Sequence, residues 1–246
     1  VVLVASVDLA PDAIRLEAIL HGPSASAWLG HDDLGRDVLS RILAGAQVSM
    51  TVAVVVTAIT LSFGVTLGLV AGYFGGWVDR LLMQVTDIFL AFPGILLAIA
   101  FAAVLGPGLN NLILALCLTS WVGYARLTRA QALSLRGRQH VQAAETLGAG
   151  TPRIMLRHML PLLAAPLVVE ATYSIAGLVI AEASLSFLGL GIQAPQASWG
   201  SMLRDGVRYM LVAPHYVLAV GLSLMSLVLA VNVLGDKLRD ALDVKR

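Results

Sequence analysis

Glu170 and Glu182 are the only charged residues in an otherwise apolar run from about Leu162 to Leu188. A carboxylate placed in hydrocarbon is costly, so it faces a bundle interior or a water-filled cavity, pairs with another polar group, or marks a solute pathway. Twelve residues separate the two, about 120° around a helix, so they do not share one narrow face. Glu182, beside Ser184 and Ser186, reads either as a hydrogen-bonded structural group near the outer end or as a substrate contact. Glu170 reads equally as pore-facing or as a helix-pairing group. Other chemistry is sparse. No G-x-x-x-x-G-K-[ST] segment occurs to cradle ATP phosphates. Gly189, Gly191 and Ala194 satisfy G-x-G-x-x-A, but they follow an apolar run and open no βαβ unit, so they do not imply a bound dinucleotide. His21, His31, His140, His158 and His215 are scattered and Cys117 is single, so neither a metal site nor a disulfide within the chain is expected.

Composition defines the elements that must position these acids. Only 13% of the 246 residues are charged, against roughly 25% in an ordinary soluble domain. Apolar residues make up 58% and mean hydropathy is +0.86. One soluble core cannot hide that much apolar surface, which implies an all-α polytopic membrane protein. A net charge of +1 gives no basic field to recruit nucleic acid. The uncharged run Val48–Phe74 fits one tilted span. Ile88–Ala125 is too long for one and is broken by GPGLNN at Gly106–Asn111, which predicts a two-span hairpin. Spans from about Leu162 to Leu188 and from about Tyr216 to Gly235 bring the number to five. Val1–Val7 is too short to cross, and reads as the end of a lost first span, making six, or of a signal sequence.

Counting Lys and Arg in the loops orients the bundle, because basic residues stay on the cytoplasmic side. Eleven fall in one set of loops, which holds Arg80, the arginines from Arg126 to Arg157 and the C-terminal tail; five fall in the other, which holds Arg15, Arg36, Arg41, Arg204 and Arg208. The C-terminus and the loop 126–161 are therefore expected inside, and the segments 8–47 and 189–213 outside. Residues 1–47 would be the end of a lost span plus an extracytoplasmic segment, and 48–246 the transmembrane domain. In the first span Gly64, Gly68 and Gly72 recur every fourth residue, a small-residue stripe suited to close helix packing or to a moving or dimerising interface.

The inside loop is too patterned for a connector. Val141, Ala144 and Leu147, then Ile154, Leu156, Met159 and Leu160, form two short apolar stripes. Gly148, Ala149, Gly150, Thr151 and Pro152 separate them, with glycine able to end one helix and Thr-Pro to start the next. Two short helices across the cytoplasmic face are predicted, serving either as interfacial anchors or as a docking element.

At this loop the sequence resembles the ABC importer permeases. Gln142, Ala143, Ala144, Gly148, Leu160 and Pro161 fall on the family's signature of a Glu-Ala-Ala triplet, a following glycine and a later Leu-Pro, with Glu145 and Ala149 alongside. Gln142 stands where the family carries glutamate, which keeps hydrogen bonding and drops the charge. WLGHDDLGRDVLSRILAGAQVSM at Trp28–Met50 and AEASLSFLGLGIQAPQASWGSML at Ala181–Leu203 are similar to segments of the dipeptide, oligopeptide and nickel group, and the likeness runs from about Trp28 to Asp243.

That resemblance implies a type I permease bundle in the inner membrane, paired with a second similar permease, fed by an extracytoplasmic binding protein and driven by two ATPases that bind the ATP; this chain would bind no cofactor. The ATPases would seat against Gln142–Gly148. The loop carrying Pro195 and Trp199 would meet the binding protein, an aromatic anchor at the membrane edge being the plainer reading of Trp199. Glu170, Glu182, Ser184 and Trp199 are the candidates for the pathway or outer gate. A short peptide is the implied solute and nickel or a related complex the runner-up. A self-contained secondary transporter or channel is the alternative from another class.

Overall fold

The computed structural model describes residues 10–243; the span end expected at Val1–Val7 lies outside them. Nine α-helices follow one another among the described residues, after a 3-10 turn at Leu16–Ala18: α1 (Val38–Phe74), α2 (Gly76–Leu90), α3 (Gly94–Leu105), α4 (Leu109–Arg136), α5 (Gln139–Thr146), α6 (Thr151–Arg153), α7 (Leu160–Phe187), α8 (Trp199–Val207) and α9 (Pro214–Asp243). The described residues contain no strand, only an isolated bridge between His31 and Asp37. Among the described residues three helices are long and apolar enough to cross a membrane: Val38–Phe74, the continuous helix Thr151–Phe187, and Pro214–Leu242. A fourth crossing is added if α2 and α3, bent by 83°, form one broken span. The chain is an all-α, multi-pass membrane protein.

Three departures from the sequence pattern have local causes. The first span begins at Val38, ten residues before the uncharged run, because Arg41 is buried and tied to Asp12 at 3.0 Å and to Asp32 at 3.4 Å. The second expected span is interrupted at Ala91–Pro93, leaving α3 with 12 residues, about 18 Å of helix and too short to cross alone. Helix α4 runs past Arg126 to Arg136, and the second short helix of the inside loop is the start of a 37-residue helix instead of a separate piece. Pro161 lacks an N–H, and the turn before it widens into π-helix at Ile154–Met159, with the Leu160 N–H reaching Met155 O.

The chain packs as two compact units. The first comprises the described part of Val1–Val55 with Ile99–Leu116 and Ile175–Val231. Its outer segment is ordered around Asp32, which is fully buried. One Asp32 oxygen accepts from the N–H groups of Leu34 and Arg36, and the other from Arg36 Nε at 2.7 Å. Beside it, burial and the nearby Asp32 and Asp205 carboxylates raise the Asp33 carboxyl above the usual range. Trp199 Nε1 donates to Ile42 O at 2.9 Å, and Ser198 and Ser201 form a capping box that starts α8.

The second unit comprises Val56–Ala98, Cys117–Ser174 and the described part of Asn232–Arg246. Here the glycine stripe meets α4. A Cβ on Gly64 would lie 2.5 Å from Trp121 O, and one on Gly72 2.6 Å from Ala132 Cβ. Small residues at this seam let the backbones approach, which is the packing reading of the stripe. Asp79 on α2 accepts a forked pair from Arg129 on α4, from Nε and, at 2.6 Å, from Nη2.

Gly68→Ala tests the seam. The added methyl would lie 2.6 Å from Thr128 Cβ and crowd Ala125 O. A loss of about 1–3 kcal/mol, typical of overpacking, is expected in detergent melting curves. Gly177→Ala, with nothing within 4 Å, should be neutral or slightly stabilising.

Candidate functional site

Helix α5 is held by its buried side. Val141 and Ala144 pack with Leu69, Leu135, Ile154 and Met159 in one apolar cluster. At its end Gly148 adopts φ +79°, where a side chain is strained. The Gly148 N–H donates to Glu145 O at 2.9 Å and the Ala149 N–H to Ala144 O at 3.0 Å, closing the helix with a left-handed cap. Tyr73 OH donates to Glu145 Oε1 at 2.9 Å, which clips α5 to the end of α1, and Arg136 Nη1 at the end of α4 donates to Tyr73 O at 3.0 Å.

Away from the cluster the helix is open, and Glu145 is exposed even though it accepts from Tyr73. Gln142, Ala143 and Gly148 are exposed, and Leu147 is 86% exposed. Leu147 therefore does not share the buried stripe of Val141 and Ala144; it follows the last helical residue and projects away from the cluster. Ala149 and Leu160 are half-buried and Pro161 is exposed. The signature positions thus divide into a side that seats the helix and a side that offers apolar and hydrogen-bonding groups outward.

The two intramembrane acids have different fates. Glu182 is fully buried and accepts from Ser49 Oγ at 2.6 Å and from Ser186 Oγ at 2.8 Å, one serine on each oxygen. Ser184 is not a partner; its hydroxyl bonds Ile180 O at 2.8 Å. Trp199, 3% exposed, is packed inside the first unit. Glu170 is half-buried in the second unit, where a Cβ on Gly123 would lie 3.7 Å from its Oε1. It lines a cavity of about 740 Å³ with Leu127, Gln131, Arg138, Tyr173 and Arg239.

Some of this was readable beforehand and some was not. The Asp32–Arg36 pair has i,i+4 spacing within HDDLGRD, and that run was a usable signal. Nothing in sequence joins Tyr73 to Glu145, or Gln131 and Arg239 to the cavity of Glu170; those residues meet only through tertiary packing.

A membrane-embedded helical bundle with a short, firmly seated helix displayed outside its spans is the build of a transport subunit. Residues 64–244 match the family described as binding-protein-dependent transport system inner membrane component, and the chain belongs to that family. It is 46% identical over 226 residues to the dipeptide transport system permease protein DppC of Alkalihalophilus pseudofirmus, covering 92% of this chain and 74% of the relative. It is 44% identical over 224 residues to the glutathione transport system permease protein GsiD of Pectobacterium atrosepticum, covering 91% and 74%. The GsiD of Escherichia coli O6:K15:H31 is 47% identical over 225 residues, covering 92% and 74%. A chain of the MetNI methionine ABC transporter in an inward-facing conformation shares the fold at a TM-score of 0.66 and 20% identity, covering 83% of this chain and 97% of that one.

The serine clamp on Glu182 gives a direct test of a structural role. Glu182→Gln should keep both serine bonds after rotation of the hydroxyls and retain uptake in vesicles. Glu182→Ala, which orphans two buried hydroxyls and leaves a void, should lose roughly 2–4 kcal/mol of stability in melting experiments. Selective loss of uptake with unchanged melting in Glu182→Gln would instead mark a solute contact.

Proposed function

We propose that this chain is the permease subunit of an ATP-driven, binding-protein-dependent importer for di- or oligopeptides, and that it forms half of the pathway together with a second, similar permease. Two ATPases hold the nucleotide and dock on the exposed surface of α5, at Gln142, Ala143, Leu147 and Gly148, with Ala144, Glu145, Ala149, Leu160 and Pro161 supporting that surface. The observation that carries this reading is the division of α5. Its buried side is locked into the second unit, while an almost fully exposed leucine and an unpaired glutamine face outward. A helix that only filled space would not present Leu147 in this way.

The excess of basic residues in the α4–α7 loop and the C-terminal tail supports a cytoplasmic placement of both. Residues 8–47 and 189–213 then face the binding protein, with Trp199 holding α8 as part of that surface. The names of the relatives, dipeptide and glutathione permeases, favour a peptide over nickel. Closure of the ATPases would push α5, and the helices packed on its buried side would rock with it, alternating the exposure of the pathway. A self-contained secondary transporter has no use for such a dock.

Leu147→Asp tests the dock. The exposed side chain should leave melting of the permease unchanged, while ATPase co-purification and ATP-driven uptake in liposomes each fall tenfold or more. Val141→Asp, which places a charge in the buried cluster, should instead prevent folding. Full uptake in Leu147→Asp, or solute movement by the purified chain without ATPases and sister permease, would overturn the assignment.

A further inference from the structure

We propose that Glu170 receives a protonated amine of the transported solute in the cavity of the second unit, so that the permease itself, and not only its binding protein, selects for a cationic end. This inference rests on the importer reading above and deepens it by naming a chemical requirement of the pathway.

The contrast between the two acids is the starting point. Glu182 has both oxygens occupied by serine hydroxyls, which satisfies its lone pairs within the protein. Among the described residues Glu170 has no hydrogen-bonding or ion-pairing partner, although it lies within the Thr151–Phe187 helix, where an unpaired carboxylate is expensive. A group kept at that cost without a structural partner is available to an incoming one.

Its surroundings give it room. On α7 the cavity-lining positions Leu162, Ala165, Pro166, Val169, Glu170 and Tyr173 follow helical spacing, and on α4 Leu127, Gln131 and Leu135 are four residues apart. Two helix faces with α9 beside them thus enclose about 740 Å³, within the usual size of small-molecule sites, ~300–1,000 Å³. On the α4 side the carboxylate faces Gly123, where even an added Cβ would lie 3.7 Å from Glu170 Oε1, so the glycine leaves it unobstructed there.

The charges in the cavity are also arranged by sign. Among the described residues that line it Glu170 is the one acid, while Arg138, at the N-cap of α5, and Arg239 on α9 carry positive charge. Arg239 is already engaged with Tyr173. An inorganic cation would meet the two arginines as like charges. A zwitterion, with an ammonium toward Glu170 and a carboxylate toward Arg138, matches the cavity at both signs. A carboxylate–ammonium contact of this kind is a charge-assisted hydrogen bond.

The experiment uses the complete complex of this chain with its sister permease and ATPases, and two probes: alanyl-alanine, and propionyl-alanine, which lacks only the amine. Binding to the complex without the binding protein is followed by saturation-transfer NMR at millimolar probe. The unaltered complex should bind alanyl-alanine roughly ten- to a hundredfold more tightly. Glu170→Gln, isosteric and uncharged, should bind both probes alike, and Glu170→Asp should restore part of the preference. Retention of the full preference in Glu170→Gln overturns the proposal, as does its absence in the unaltered complex. ATP-driven uptake of alanyl-alanine by the unaltered complex, with binding protein added, is measured alongside. If uptake proceeds while Glu170→Gln still discriminates, the importer reading stands and the Glu170 assignment falls; if no ATP-driven uptake occurs, the importer reading falls first.

Discussion

In hydrocarbon, a polar group that finds no partner inside the protein has none at all, and the arrangement of this chain follows from that constraint. Backbone groups satisfy it by forming helices. Hydroxyls within the helices satisfy it by bonding backward one turn, as Thr60 does to Val56 O, Ser62 to Ala58 O and Ser223 to Ala219 O. Charged groups have fewer options. Arg41 extends α1 beyond its apolar stretch only because Asp12 and Asp32 accompany it, and Glu182 is tolerated because Ser49 and Ser186 converge on it from α1 and from the next turn of α7. Glu170 is the exception that gives the rule its use: it faces a cavity, and among the described residues no hydrogen-bonding or ion-pairing partner stands in front of the carboxylate.

The constraint also explains what the sequence revealed. Uncharged runs and arginine-rich loops report burial in lipid, so the helical, multi-pass class and the central parts of the spans were legible from composition alone. The edges of the spans were not, because a charge ends an apolar run in sequence but not in space once it is paired. Arg41 inside α1 and Arg126 and Arg129 inside α4 show this. The latter two lie opposite Asp87 and Asp79 of α2, and the helix continues past both. The break at Ala91–Pro93 was hidden for the converse reason: a proline among apolar residues leaves hydropathy high while it bends the path.

Around α5 the legible part was periodicity and the illegible part was direction. Val141 and Ala144 are three residues apart, the spacing of one helix face, and that face is the one packed into the apolar cluster. Leu147, three further on, follows the pattern in sequence but sits at the C-cap, where Gly148 turns the chain to positive φ and ends the helical phase. A leucine one residue beyond the helix is thereby presented outward. The glycine that terminates the helix and the leucine that it exposes are one device.

The same reasoning bears on how motion would pass from a partner into the bundle. Two loose interfacial helices would absorb a push in their connections. Here, α5 is pinned to the end of α1 through Tyr73 and Glu145, and its buried side chains touch Ile154 and Met159, which belong to the rigid helix that carries on as α7. Only the four residues from Leu147 to Gly150 separate α5 from that helix along the chain. A displacement of α5 therefore reaches α7 through packed side chains, which transmit strain because protein interiors are nearly incompressible. Glu170 lies on that same helix, so a movement imposed at the exposed face of α5 would be felt at the carboxylate within two to three turns of Leu160.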